Sequence, residues 1–248
     1  MIQYWAEGHF EAARQLNDSV WHGYGFMVQG QTELCHGVAP LQELLDRACG
    51  VLHGRLLNDV LQKPTDEALL HWFLEYREES QWSQLSITTG LERGMVWSAS
   101  RQVLGWRGYR FEAAHQLPHV PAGHPCGRMH GHGFSVRVFG VYYSEWFAEI
   151  DRIWGELVRQ LDRTCLNEIP GLEIPTSEYL SQWIWRMLVS KGISVTEVMV
   201  QETMSSGASY SGIDCSIWKE LTADSALMEW PDGPLMGHTY RLRTVLTG

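Results

Sequence analysis

The stretch Phe111-Glu112-Ala113-Ala114-His115-Gln116-Leu117 also occurs earlier in the chain, as Phe10-Glu11-Ala12-Ala13-Arg14-Gln15-Leu16, 101 residues upstream. Working outward from it, His22-Gly-Tyr-Gly-Phe26 returns as His130-Gly-His-Gly-Phe134, Leu57-Asn58 as Leu166-Asn167, and Pro64-Thr-Asp-Glu67 as Pro175-Thr-Ser-Glu178. The order is kept, and the offset grows only from 101 to 111. Four matches in order mark a tandem duplication, and a repeat of this kind governs the whole fold. The copies join near Ala99–Leu104, so residues 1–100 form one module, 101–218 a second, and 219–248 an extension beyond both.

Within each copy the pattern is strand, strand, helix, helix, strand, strand. Phe147, Ile150, Trp154, Leu157 and Leu161 recur at spacings of 3 and 4, as on one face of a helix. Leu180, Trp183, Ile184, Met187 and Leu188 mark the next helix, with Thr176 as its N-cap and Glu178 in a first turn that favours negative charge. Val198, Val200 and Glu202 alternate with their neighbours like a half-buried strand. The first copy repeats this with Leu41, Leu44, Leu45 and Ala48, then Leu69, Leu70 and Phe73. The expected class is therefore α+β, built from two ββααββ modules. In the extension, Gly237-His-Thr-Tyr-Arg-Leu-Arg243 alternates and predicts one added edge strand or a docking tail.

The chain has 248 residues, 44% hydrophobic and 19% charged, as an ordinary globular protein has. A net charge of −10 argues against nucleic acid or an anionic membrane as partner, while leaving room for a small anion in a local basic pocket. No apolar run is long enough to span a bilayer, and no signal peptide is evident. The five cysteines are odd in number and scattered, which fits a reducing cytoplasm better than a disulfide scaffold.

His115, Cys126, His130 and His132 carry the chemistry. His130 and His132 are two apart and point to one face of a strand. His115 continues the alternation of Phe111 and Ala113 on another strand. Two adjacent strands can thus aim three imidazoles at one point. Three protein ligands with an open fourth position are the arrangement of catalytic zinc.

Phe-Glu-Ala-Ala-His115, Cys126-x-x-x-His130-Gly-His132, Pro175-Thr-Ser-Glu178 and Val200-Gln-Glu202-Thr203, from about Tyr109 to Trp218, together resemble the 6-pyruvoyltetrahydropterin synthase family. They are most similar to its 6-carboxytetrahydropterin synthase branch of the queuosine pathway. The resemblance implies a tunnelling fold (T-fold), in which ββααββ units assemble side by side into an antiparallel β-barrel with helices outside. It implies Zn2+ on His115, His130 and His132, with Cys126 and Asp162 as catalytic groups. Zinc would hold the hydroxyls of the substrate side chain and acidify its C–H protons, one of which a Cys126 thiolate could take. Glu202 could accept two parallel N–H bonds from a pterin, with Thr203 beside it. The implied reaction is that of a zinc-dependent lyase on 7,8-dihydroneopterin triphosphate, giving 6-carboxy-5,6,7,8-tetrahydropterin or the related 6-pyruvoyltetrahydropterin.

Two departures bear on turnover. The family has Leu-Asp-His where this chain has Leu161-Asp162-Arg163, and an arginine cannot shuttle protons, although it can grip a phosphate or hold a thiolate. The family's stretch before the first helix usually carries an Asp, and here Trp146 stands near that place. The open alternatives are related chemistry on another pterin-like ligand, or a zinc- and pterin-binding protein of the same fold without catalysis. In the first copy Arg14 and Tyr24 replace two of the histidines, and Thr89 takes the place of Glu202. That copy is expected to be structural. Two modules per chain do not divide into the family's three-module ring. A homo-oligomer is therefore expected, either three chains in two stacked rings or two chains in a four-module ring.

Overall fold

The computed structural model describes residues 4–17, 20–32, 38–76, 82–98, 102–228, 233 and 235–248. Of the inter-module joint near Ala99–Leu104, Ala99, Ser100 and Arg101 lie outside them. The chain forms strands β1 (Tyr4–Asn17) and β2 (Val20–Thr32), helices α1 (Val38–Leu52) and α2 (Asp66–Glu75), and strands β3 (Gln84–Thr89) and β4 (Arg93–Ser98). The same order then recurs as β5 (Val103–His115), β6 (His130–Val141), α3 (Trp146–Leu161), α4 (Ser177–Ser190), β7 (Glu197–Thr203) and β8 (Ser206–Tyr210). The architecture is α+β with tandem ββααββ modules, as the repeat requires. No helix among the described residues is long and apolar enough to cross a membrane.

The extension differs from expectation. It adds two long strands, β9 (Cys215–Met228) and β10 (Leu235–Thr247), rather than one. They pair antiparallel from Thr247↔Ser216 to Leu235↔Met228. The alternation of Gly237–Arg243 marked β10, whereas β9 begins before residue 219 and was hidden in the end of the second copy.

The chain divides into two compact units, one of Met1–Gly108 with Phe139–Phe147, the other of Tyr109–Val138 with Ala148–Gly248. In the first, antiparallel β1–β4 carry α1 and α2 on one face, over a core that includes Phe10, Phe26, Leu45, Leu69, Phe73 and Ile87. Trp146 is fully buried in this unit, where a Cβ on Gly105 would come within 3.0 Å of its ring. In the second unit, Phe111, Phe134, Trp154, Leu161, Leu180, Ile184 and Val200 are buried.

Each repeated motif has a structural cause that recurs in both units. Phe10 stacks on Phe26 at 4.7 Å, and Phe111 on Phe134 at 5.0 Å. The Asn58 amide bonds both backbone groups of Gln15, and Asn167 does the same for Gln116, which closes the end of each first strand. Thr65 and Thr176 cap α2 and α4 by accepting the N–H of Ala68 and Tyr179.

Candidate metal centre

His115 is the last residue of β5, and the alternation that buries Phe111 and Ala113 buries it too, to 1% exposure. Its Nδ1–H donates to the carbonyl of Pro175 at 2.9 Å. His130 opens β6, and its Nδ1–H donates to the carbonyl of Arg128 at 2.7 Å. A carbonyl can only accept, so both bonds fix the tautomer and leave Nε2 with a free lone pair. His132 follows on the same face of β6. The three rings stand 4.5 to 5.2 Å apart, centroid to centroid.

Glu202, near the end of β7, completes the group. One donor atom from each of His115, His130, His132 and Glu202 lies within 4.8 Å of all the others. Glu202 Oε1 is 3.0 Å from His132 Nε2 and 3.6 Å from His115 Nε2, and its Oε2 accepts from Ser177 Oγ at 3.2 Å. Burial lowers the His132 pKa below its ordinary 6.5, His115 and His130 push it the same way, and Glu202 opposes them. The imidazole is thereby favoured in its neutral form, the one that can bind a metal.

The donor set suits zinc. Among the described residues, His115 Nε2 and His132 Nε2 are buried beside the Glu202 carboxylate without a well-aligned hydrogen bond, an arrangement that a bound cation would satisfy. In a tetrahedron with zinc–nitrogen bonds of about 2.1 Å, neighbouring nitrogens are about 3.4 Å apart, within small side-chain movements of this cluster.

The other expected site residues lie elsewhere. Cys126 sits half-buried on a short 3-10 turn, Pro125–Gly127, in the loop between β5 and β6, outside the four-residue group. Its N–H donates to His124 Nδ1 at 3.2 Å and its carbonyl accepts from Leu117 at 2.8 Å. Asp162 Oδ1 accepts the N–H of Glu112 at 2.9 Å and so ties the end of α3 to β5. Arg163 has a left-handed backbone, φ 57°, and is 84% exposed, with Nε 3.7 Å from Asp162 Oδ2. Thr203 is exposed at the end of β7, its Oγ1 2.6 Å from Ser206 Oγ. Ser177 and the Pro175 carbonyl were not singled out from sequence as site groups. The repeated Pro-Thr-x-Glu was their only signal.

Residues 106–213 match the family described as 6-pyruvoyl tetrahydropterin synthase. A 6-carboxy-5,6,7,8-tetrahydropterin synthase of Synechocystis sp. is 36% identical over 121 residues, covering 42% of this chain and 90% of that protein. The chain belongs to the 6-pyruvoyl tetrahydropterin synthase family. A protein of Archaeoglobus fulgidus, provisionally described as the same 6-carboxy synthase, is 40% identical over 101 residues, covering 37% of this chain and 81% of that one. Among solved structures, a hyper-thermostable uricase mutant spans 99% of this chain and 91% of its own at 9% identity, with a TM-score of 0.45, too low to equate the folds. The synthase-family match takes in the second module, including all four residues of the metal cluster. The first module up to β4 and the β9–β10 hairpin fall outside it.

Proposed function

We propose that the second module is a zinc-dependent lyase acting on 7,8-dihydroneopterin triphosphate, giving 6-carboxy-5,6,7,8-tetrahydropterin or the related 6-pyruvoyltetrahydropterin. The observation that carries this is the convergence of three imidazoles on one point, two with buried Nε2 atoms that face the Glu202 carboxylate without a well-aligned hydrogen bond. That the named 6-carboxy synthase of Synechocystis sp. is matched over 90% of its length supports the choice of product.

In this proposal His115, His130 and His132 hold the zinc, and the Pro175 and Arg128 carbonyls orient two of the rings. Bound zinc would act as a Lewis acid on the hydroxyls of the substrate side chain. Glu202 accepts N–H bonds from the pterin ring, with Ser177 holding its second oxygen. Cys126 takes a proton from the side-chain carbon, and Asp162 stands at the position of the family's relay Asp. Arg163, exposed and carrying fixed charge, grips the triphosphate. The same proposal places the protein in the queuosine route and in the cytoplasm. It also makes the protein a homo-oligomer whose modules close into a barrel, which would leave no sheet edge exposed.

A second reading is a zinc- and pterin-binding protein without turnover. It is favoured by Arg163, which cannot relay a proton, and by Asp162, whose carboxylate is engaged with the backbone of Glu112. Mass spectrometry of zinc-loaded protein incubated with 7,8-dihydroneopterin triphosphate separates the two. A carboxy- or pyruvoyl-tetrahydropterin, lost in Cys126→Ala while zinc stays bound, is the expected result. Unchanged substrate with tight pterin binding would favour the second reading, and full turnover by Cys126→Ala would remove the thiol from the mechanism.

A further inference from the structure

The C-terminal hairpin resembles the opening hairpin of each module in strand length, and that of the second module in the way its first strand pairs. β9 lies against β8 as β5 lies against β4. Gly94 faces Trp106 and Arg93 faces Arg107 in one pair of strands, and Gly207 faces Trp218 and Ser206 faces Lys219 in the other. In both, an indole lies over a glycine: a Cβ on Gly94 would stand 2.5 Å from Trp106 Nε1, and one on Gly207 would stand 2.8 Å from Trp218 Cζ2. β9 and β10 are 14 and 13 residues long, as β1 and β2 are. The family match ends before this hairpin begins.

One face of the hairpin borders the candidate site. Ser206 and Lys219 are register partners across β8 and β9, and Lys219 and Thr244 across β9 and β10, so the three share a face. A cavity of about 390 Å³ is lined by Ser177, Glu202 and Ser206 from the module and by Lys219, Thr244 and Leu246 from the hairpin. Thr244 Oγ1 donates to the carbonyl of Lys219 at 3.3 Å, which holds the two strands in register at this wall. Lys219 is the one cation among the described residues that line the cavity.

We infer that the β9–β10 hairpin supplies, from the same chain, a wall of the ligand cavity, and that Lys219 is a specificity-determining residue for a 4-oxo-pteridine. This rests on the pterin reading of the site. A carboxylate that accepts from the 2-amino group and ring N–H of a pterin has, at the next position along that edge, a carbonyl oxygen that can only accept. Glu202 cannot serve it. An ammonium has three donors and no acceptor, and the flexible stem of Lys219 lets it reach along the cavity. A 4-amino group at the same position would bring donor against donor, so Lys219 selects against it.

The test is fluorescence titration of the zinc-loaded full chain with 7,8-dihydroneopterin and with the 4-amino pteridine that carries the same side chain. Because the 4-amino ring also lacks the N–H that Glu202 accepts, the readout is the effect of each Lys219 substitution on each ligand. Lys219→Met should weaken the 4-oxo ligand by about tenfold, the worth of one charge-assisted hydrogen bond, and leave the 4-amino ligand no weaker, with zinc content unchanged, while Lys219→Arg should keep both affinities. A 4-oxo affinity unchanged in Lys219→Met, or an equal loss for both ligands, overturns the assignment of Lys219 while leaving the pterin site standing. If the parent protein binds neither pteridine, both the pterin reading and this inference fail.

Discussion

Arg14 and Asp66 form a buried ion pair, Nη2 to Oδ1 at 2.7 Å, in the first module at the positions where the second module has His115 and Ser177. Arg14 Nη1 donates to the Pro64 carbonyl at 2.9 Å, as His115 Nδ1 donates to that of Pro175. Thr89 Oγ1 donates to Asp66 Oδ1 at 2.8 Å, so carboxylate and hydroxyl have exchanged strand and helix relative to Glu202 and Ser177. Arg93 Nε joins at 3.1 Å, and the Arg14 guanidinium lies 5.0 Å from the Tyr24 ring centre. A fixed organic cation stands here where the second module gathers its candidate metal ligands.

Removing Arg14 alone therefore leaves Asp66 buried and undercompensated. Arg14→Met is expected to cost about 3 kcal/mol or more, the usual penalty for breaking a buried pair from one side. The double variant Arg14→Met/Asp66→Asn should recover most of that loss. Urea unfolding of the three proteins checks this, and equal stability of all three would deny the pair its role.

Metal stoichiometry follows from the same comparison. One zinc per chain is expected, lost in His115→Ala, His130→Ala or His132→Ala. Arg14→His should not raise it to two, because Tyr24 stands where His132 does and Thr89 where Glu202 does. Elemental analysis of dialysed protein reads this directly, and two zincs in the parent chain would contradict it.

Glu202 lies close enough to the histidines to be asked whether it serves the ligand or the metal. Glu202→Gln is expected to keep one zinc per chain and to weaken pterin binding by about tenfold or more, as a charged acceptor becomes a neutral amide. Loss of zinc with pterin binding kept would assign the carboxylate to the metal.

Gly54 and Arg163 are equivalent positions. Their N–H groups donate to the carbonyls of Glu11 and Glu112, and their φ angles are 70° and 57°. A side chain at Gly54 would meet nothing within 4 Å, so the cost of Gly54→Ala is purely conformational, about 1 kcal/mol. Arg163→Gly relieves the same strain and should leave stability unchanged or raised. Thermal melts that show Arg163→Gly clearly destabilised would mean the arginine makes contacts that outweigh its backbone.

Burial, and then the Asp46 carboxylate, pushes the Cys49 thiol up to about 12 from its ordinary 9.0. Folding favours the neutral thiol, so its contribution to stability is complete below pH 9.0 and declines as pH rises through that value towards about 12. Native protein treated with iodoacetamide at about pH 8 should be alkylated at half-buried Cys126 well before Cys49. Peptide mass mapping with Cys49 labelled first would refute this.

The duplication, the order of strands and helices within each module, and the three histidines could all be read from the residues, whereas β9 could not. Periodicity and short motifs are local, and a strand of known alternation already states which side chains share a face. What residue strings could not show is how far apart those faces end up. Glu202 was readable as a carboxylate near the end of its strand, but only the packing of β7 against the N-terminus of α4 sets it between Ser177 and the histidines. Asp162 carried a family role, whereas its carboxylate engages the Glu112 backbone because α3 ends beside β5. Gly207 and Trp218 gave no sign of each other, since a ring over a glycine depends on strand register, and register is set by pairing across the sheet. The sequence alone determined which elements form and which chemical groups they carry. The tertiary structure decided which groups meet, because that depends on distances between segments far apart in the chain.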